Sequence, residues 1–162
     1  MRAAMRNRNL LLCLFAIAGA ASHAQSPTPL PAACPWVTHG SAARALGAEV
    51  SVALNLVASG EGSCTFSRIQ EPGAFLKVEI SKTALPSCGA DSTKLKGVGN
   101  EAMRCALPGS GVQGGEMISG RVRDLHFVIT FEPRGKKSPT NPADAQEDIL
   151  QLVAEQVAGN LF

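Results

Sequence analysis

Few side chains in this sequence are placed to do chemistry. His126 lies in a run where Leu125, Phe127, Ile129 and Phe131 alternate with His126, Val128 and Thr130. That period of two puts its imidazole on the polar side of a strand, where it could act as general base for a hydrolase with a neighbouring acid or serine. No such partner is signalled, because the chain contains neither G-x-S-x-G nor H-E-x-x-H. His39 falls in the first turn of a short helix, and Glu79 with Glu116 makes an acid–base pair only if the fold brings them together. Surface histidines and solvated strand carboxylates are the plainer expectation, so no catalytic residue is assigned.

Cysteine chemistry is better defined. Cys13 belongs to an apolar run near the N-terminus, which leaves Cys34, Cys64, Cys88 and Cys105, an even set. No two of these have the spacing of a zinc knuckle or a C-x-x-C redox pair, and beyond residue 24 only His39 and His126 could supplement them. Neither a metal nor another cofactor is expected, whereas two disulfides are. Three pairings are possible. Cys64 and Cys105 are both expected on apolar strand faces, while Cys34 opens the first helix and Cys88 opens a central loop. The two shortest closures, Cys34 with Cys64 and Cys88 with Cys105, are favoured.

Two further features could bind rather than react. Trp36, the sole tryptophan, can stack on a ligand or anchor the core beside Cys34, and the anchor is favoured. The run Gly97, Val98, Gly99, Asn100, Glu101, Ala102 invites comparison with a phosphate cradle, in which exposed backbone N–H groups face an anion. Its spacing is neither G-x-G-x-x-G nor a P-loop. A structural turn is the better reading, with Gly97 and Gly99 taking backbone angles that other residues avoid and Glu101 hydrogen-bonding the loop.

The N-terminus determines which of these residues belong to the mature protein. Arg2, Arg6 and Arg8 precede an apolar run from Leu10 to Ala18, and Ser22 and Ala24 supply the small residues of a cleavage site. This layout predicts a signal peptide over 1–24, cut after Ala24, with no stable membrane insertion afterwards. Cleavage leaves 138 of the 162 residues, with 12 basic against 13 acidic side chains. A balance of −1 gives no footprint for nucleic acid, and the basic cluster Arg134, Lys136, Lys137 reads as a solvated loop.

Residues 25–33 carry Pro27, Pro29 and Pro31 and form an extended leader, so a single globular domain spans 34–162. Thr38 caps a short helix that Gly47 stops. Alternation then predicts strands over 49–57, around Cys64 and Phe66, and around Leu76, Val78 and Ile80, forming an antiparallel meander with one wet face. A loop follows, with a helical turn around Ser92 to Leu95. Beyond it come a strand with Met103, Cys105 and Leu107 on one side, a glycine-rich turn from Pro108 to Gly115, and a hairpin of 116–122 with 125–131 closed at Arg123 and Asp124. Asn141 and Pro142 start a long last helix whose stripe is Ile149, Leu152, Val153, Gln156 and Val157. The class is α+β: an antiparallel sheet with a short N-terminal and a long C-terminal helix packed on one face.

One ordered set of short motifs spans nearly all of this domain: Cys34, Pro35, Trp36, Val37, Thr38; Ala45, Leu46, Gly47; Cys64, Thr65, Phe66; and Gly97 through Ala102. It resembles a family of secreted bacterial domains of unknown function that includes mycobacterial lipoproteins and is similar to the extracellular sensor domain of a mycobacterial Ser/Thr kinase. The resemblance implies helices on an antiparallel sheet and a role in binding or sensing outside the cytoplasm. It brings no catalytic set. The lipidated cysteine of the lipoprotein members is missing here, which removes the expectation of an anchor. The favoured expectation is a non-enzymatic periplasmic or secreted module for a small ligand or an envelope protein. The alternatives are an accessory or inhibitory protein that adds a strand at an exposed sheet edge, and a hydrolase using His126.

Overall fold

The computed structural model describes residues 32–71, 73–107, 114–133 and 143–162. The expected signal segment and its cut after Ala24, the leader up to Pro31, the cluster at Arg134 to Lys137, and the cap residues Asn141 and Pro142 lie outside the described residues. So does most of the glycine-rich turn after Leu107.

Local rules set the first elements. Thr38, in an extended conformation, accepts the Ser41 N–H on its side-chain oxygen and caps α1 (His39–Leu46). Gly47 ends the helix at φ 66°, a left-handed angle that costs glycine little. Strands β1 (Val50–Leu56), β2 (Gly62–Arg68) and β3 (Phe75–Ser81) follow as the expected antiparallel meander. After a crossover come β4 (Thr93–Lys94), β5 (Glu101–Ala106), β6 (Glu116–Val122) and β7 (Leu125–Glu132), and then α2 (Ala143–Asn160).

The seven strands among the described residues join one antiparallel sheet in the order β1-β2-β3-β7-β6-β5-β4. The α+β class holds. Two meanders meet where β7 pairs with β3, so β7 is central, which fits its unbroken apolar side of Phe127, Ile129 and Phe131. The inner face packs these residues with Cys64, Phe66, Leu76, Val78, Ile80 and Ile118 beneath both helices. Helix α1 lies over β1 to β3, and α2 lies beside α1 over β6.

Three expectations change. The helical turn around Ser92 to Leu95 is instead β4, because Lys94 finds a ladder partner in Met103. The buried stripe of α2 is Leu150, Val153, Ala154, Val157 and Ala158, whereas Leu152 is exposed. Small alanines at 154 and 158 let the helix approach the core closely, so the packed face rotates toward them. Cys105 does not share the face of Cys64. Its strand buries Ala102 and Arg104 on the inner side and turns Met103 and Cys105 outward.

Both favoured disulfides form, Cys34–Cys64 and Cys88–Cys105. The first fixes the chain ahead of α1 to the inner face. The second lies on the outer face and ties down the crossover from β3 to β4.

Candidate ligand site

The register lays out the outer face in rows. One row carries Glu101, Arg121, His126 and Ser81 side by side across β5, β6, β7 and β3. The next holds Lys94, Met103, Ser119, Val128 and Glu79, and the third holds Cys105, Met117, Thr130 and Lys77. Side chains on one face of paired strands touch their row neighbours. The sheet therefore sets a charged row beside one in which Met103 and Val128 flank Ser119, with Lys94 and Glu79 at its ends.

The crossover roofs these rows. The Cys88 N–H donates to the Ser119 hydroxyl at 3.1 Å, and the Cys88 sulfur is bonded to Cys105. Ala84 to Ser87 are thereby held as a strap above the sheet, bordering a half-open cavity of about 410 Å³ that is also lined by Met103, Ser119 and Val128. Lys94, Glu101, Arg121 and His126 line the same space. Its volume falls within the range of about 300 to 1,000 Å³ usual for small-molecule sites, as does its mixture of apolar walls with a few polar groups.

The charged row is ordered by its own contacts. The Arg121 Nε–H donates to a Glu101 oxygen at 2.8 Å, and an Nη1–H donates to the Arg123 carbonyl at 3.3 Å. The Arg121 hydrogen bond, then its charge, hold the Glu101 carboxyl below the usual carboxylate range, with smaller contributions from His126 and Lys94. Two of the five guanidinium donors are thus used. The side chains of Lys94 and His126 make no hydrogen bond among the described residues.

The residues singled out in the sequence separate in space. Trp36 is buried in the core, and its carbonyl accepts a hydrogen bond from Asn160 Nδ2 at 3.0 Å, which makes it an anchor and removes it as a stacking platform. Gly97 and Gly99 take φ of 78° and 59°, and Val98 between them is buried. A side chain at Gly99 would lie 2.7 Å from the Arg121 carbonyl oxygen. Asn100 donates its N–H to that carbonyl at 2.8 Å and accepts the Arg123 N–H on Oδ1 at 2.7 Å. The glycine run is a turn docked on the β6–β7 hairpin. Glu101 and Ala102, at its end, line the cavity.

Glu79 and Glu116 do not meet. Glu79 lies outward beside Lys77 at 2.9 Å, while Glu116 lies on the inner face against the buried Arg104, with the sheet between them. His39 Nε2 lies 2.8 Å from the Val50 carbonyl, so its ring braces the start of β1. Ser81 stands opposite His126 in register, yet its hydroxyl is engaged with Thr83 and Glu61, and no hydrogen bond joins it to the imidazole.

Lys94, Arg121, Met103, Ser119 and the strap were not read as site residues from the sequence. One signal was available: Val128 is an apolar residue on the side of β7 read as polar, and it is 3 % exposed. No family model matches this chain, and no curated protein or solved structure matches it either.

Proposed function

We propose that this chain is a non-enzymatic binding module that works outside the cytoplasm and takes a small ligand between its strap and its sheet. The observation that carries this reading is the cavity beneath Ala84 to Ser87, whose roof is covalently fixed at Cys88 and whose floor joins Met103 and Val128 to a charged row. A tethered roof lowers the entropy lost when a ligand is enclosed. Two disulfides suit an oxidising compartment, and among the described residues no helix is long and apolar enough to cross a membrane. The resemblance to secreted sensor-type domains supports the same reading, as does the N-terminal layout of a signal peptide.

Titrating the oxidised, ¹⁵N-labelled protein with small organic fragments tests it. Amide shifts should concentrate at Leu85, Ser87, Met103, Ser119 and Val128, and should vanish in the Cys88→Ser/Cys105→Ser variant. Shifts scattered over the surface, indifferent to that variant, would count against it.

The free edge of β1 favours a second reading, an accessory protein that accepts an extended segment of an envelope partner. Among the described residues strand β1 pairs only with β2, and its sequence Val50–Leu56 has no charge and no proline to deter a further strand. A photoreactive residue at position 51 should then capture one protein in the periplasm, and Ala53→Lys should abolish that capture. Identical capture from the Ala53→Lys protein would sink this reading.

A further inference from the structure

We infer that the ligand class of the strapped cavity is a small monocarboxylate with an apolar body, its carboxylate held at Arg121 and Lys94 and its body lying against Met103, Val128, Leu85 and Pro86. This rests on the cavity reading and adds its chemistry. Among the described residues the charged groups lining the cavity are Lys94, Arg121 and His126 against the carboxylate of Glu101, so cations outnumber anions even with the imidazole neutral. The Glu101 contact neutralises only part of this excess and holds the guanidinium in place. Among the described residues three N–H donors of Arg121 remain for a second carboxylate, which a planar fork recognises in two-point fashion.

The neighbouring row gives the other half of the ligand. Met103 stands next to Lys94 and Ser119, and Val128 stands next to Ser119, so Lys94 adjoins these apolar side chains within one row and Arg121 lies one row away. Leu85 and Pro86 face that floor from the strap. An inorganic anion would leave the apolar floor unused. A neutral or cationic apolar compound would leave Lys94 without a counter-charge and place a positive group beside Arg121.

The test compares charge at constant shape. Hexanoate and phenylacetate are titrated into the oxidised, ¹⁵N-labelled protein beside hexanamide, hexylamine and inorganic phosphate. Both carboxylates should shift the amides of Lys94, Met103, Arg121 and Val128 and bind about tenfold more tightly than the amide or the amine, because a charge-assisted bond replaces a neutral or repulsive one. Phosphate should bind more weakly than either carboxylate. Lys94→Gln, on an exposed two-residue strand, should weaken hexanoate more than hexanamide and so narrow the gap between them, and Arg121→Gln should do the same. Equal binding of hexanoate and hexanamide in the cavity, or preference for hexylamine, would overturn the carboxylate assignment while the cavity reading stood. The absence of cavity shifts with every probe would overturn both.

Discussion

The side chain of Asn100 fixes the backbone of Arg123: Asn100 Oδ1 accepts the Arg123 N–H at 2.7 Å, and Arg123 is the one non-glycine with positive φ among the described residues, at 56°. Left-handed angles cost a residue with a Cβ on the order of 1 kcal/mol, and Arg123 needs that angle to close a two-residue hairpin between β6 and β7. Asn100 also donates its own N–H to the Arg121 carbonyl. The glycine run thus acts as a clamp on the turn that begins just after Arg121, and through it on the charged row of the cavity.

This clamp predicts coupling. Asn100→Ala should lower stability by about 1 to 2 kcal/mol, the loss of a hydrogen bond at a strained turn. Arg123→Gly relieves the angle but gives up the guanidinium contact with the Phe162 ring at 5.4 Å, so alone it should be close to neutral. In the double variant the loss should be smaller than the sum of the two, because glycine no longer needs the asparagine to hold the turn. A double-mutant cycle by urea denaturation checks this, and strict additivity would refute the clamp.

Gly120 predicts a second kind of sensitivity. Any Cβ there would run into the Phe127 ring on the paired strand and lie 2.7 Å from the Glu101 carbonyl oxygen. Phe127 is fully buried, so the ring has nowhere to swing. Gly120→Ala should therefore cost about 1 to 3 kcal/mol from overpacking. Phe127→Leu in the same chain should recover part of that loss, which thermal unfolding of the single and double variants can measure.

The inner face of the domain was legible from the sequence and the outer site was not. Alternation at Val50 to Leu56, Leu76 to Ile80 and Leu125 to Phe131 reports which side of a strand is buried, and loop length with position favoured the disulfide pairing that forms. What covers the opposite side is a tertiary fact. His126, Val128 and Thr130 read as a wet face because nothing in their spacing announces the strap from Ala84 to Ser87. The sequence places Cys105 on the inner side for the same reason, since Met103 and Leu107 make its side of β5 look like the core. Ala102 and Arg104, the residues that face inward, are too small or too charged to signal burial.

The two disulfides should differ in consequence. By loop closure alone, Cys34→Ser/Cys64→Ser and Cys88→Ser/Cys105→Ser should each lower stability, by about 4 and about 3 kcal/mol for sequence separations of 30 and 17. Only the second frees the strap, so only it should abolish fragment binding at Met103 and Val128 while the rest of the amide spectrum persists. Unreduced protein should weigh about 4 Da less than the fully reduced chain, two hydrogens for each bridge. Persistence of cavity binding in the Cys88→Ser/Cys105→Ser variant would mean that the strap is held by something other than its own disulfide.

Acid stability should depend on Glu61. Its carboxylate accepts the Lys82 backbone N–H at 2.9 Å, the Ser59 hydroxyl at 3.0 Å and the Ser81 hydroxyl at 3.4 Å, joining the β1–β2 turn to the end of β3. These bonds, the Lys82 N–H foremost, hold its pKa below the ordinary glutamate value. A depressed folded-state pKa means the unfolded chain takes up the proton first, so the contribution is complete above the unfolded value of about 4.3 and disappears as pH falls through the lower, folded one. Glu61→Gln keeps an acceptor for Lys82 and removes the titration. Its Tm should fall less steeply than wild type between pH 5 and pH 3, and Glu101→Gln should act in the same direction through the Arg121 bond. Thermal melts across that interval give the answer: parallel curves for wild type and Glu61→Gln would show that the carboxylate adds nothing to acid sensitivity, and that the β1–β2 turn is held by its backbone alone.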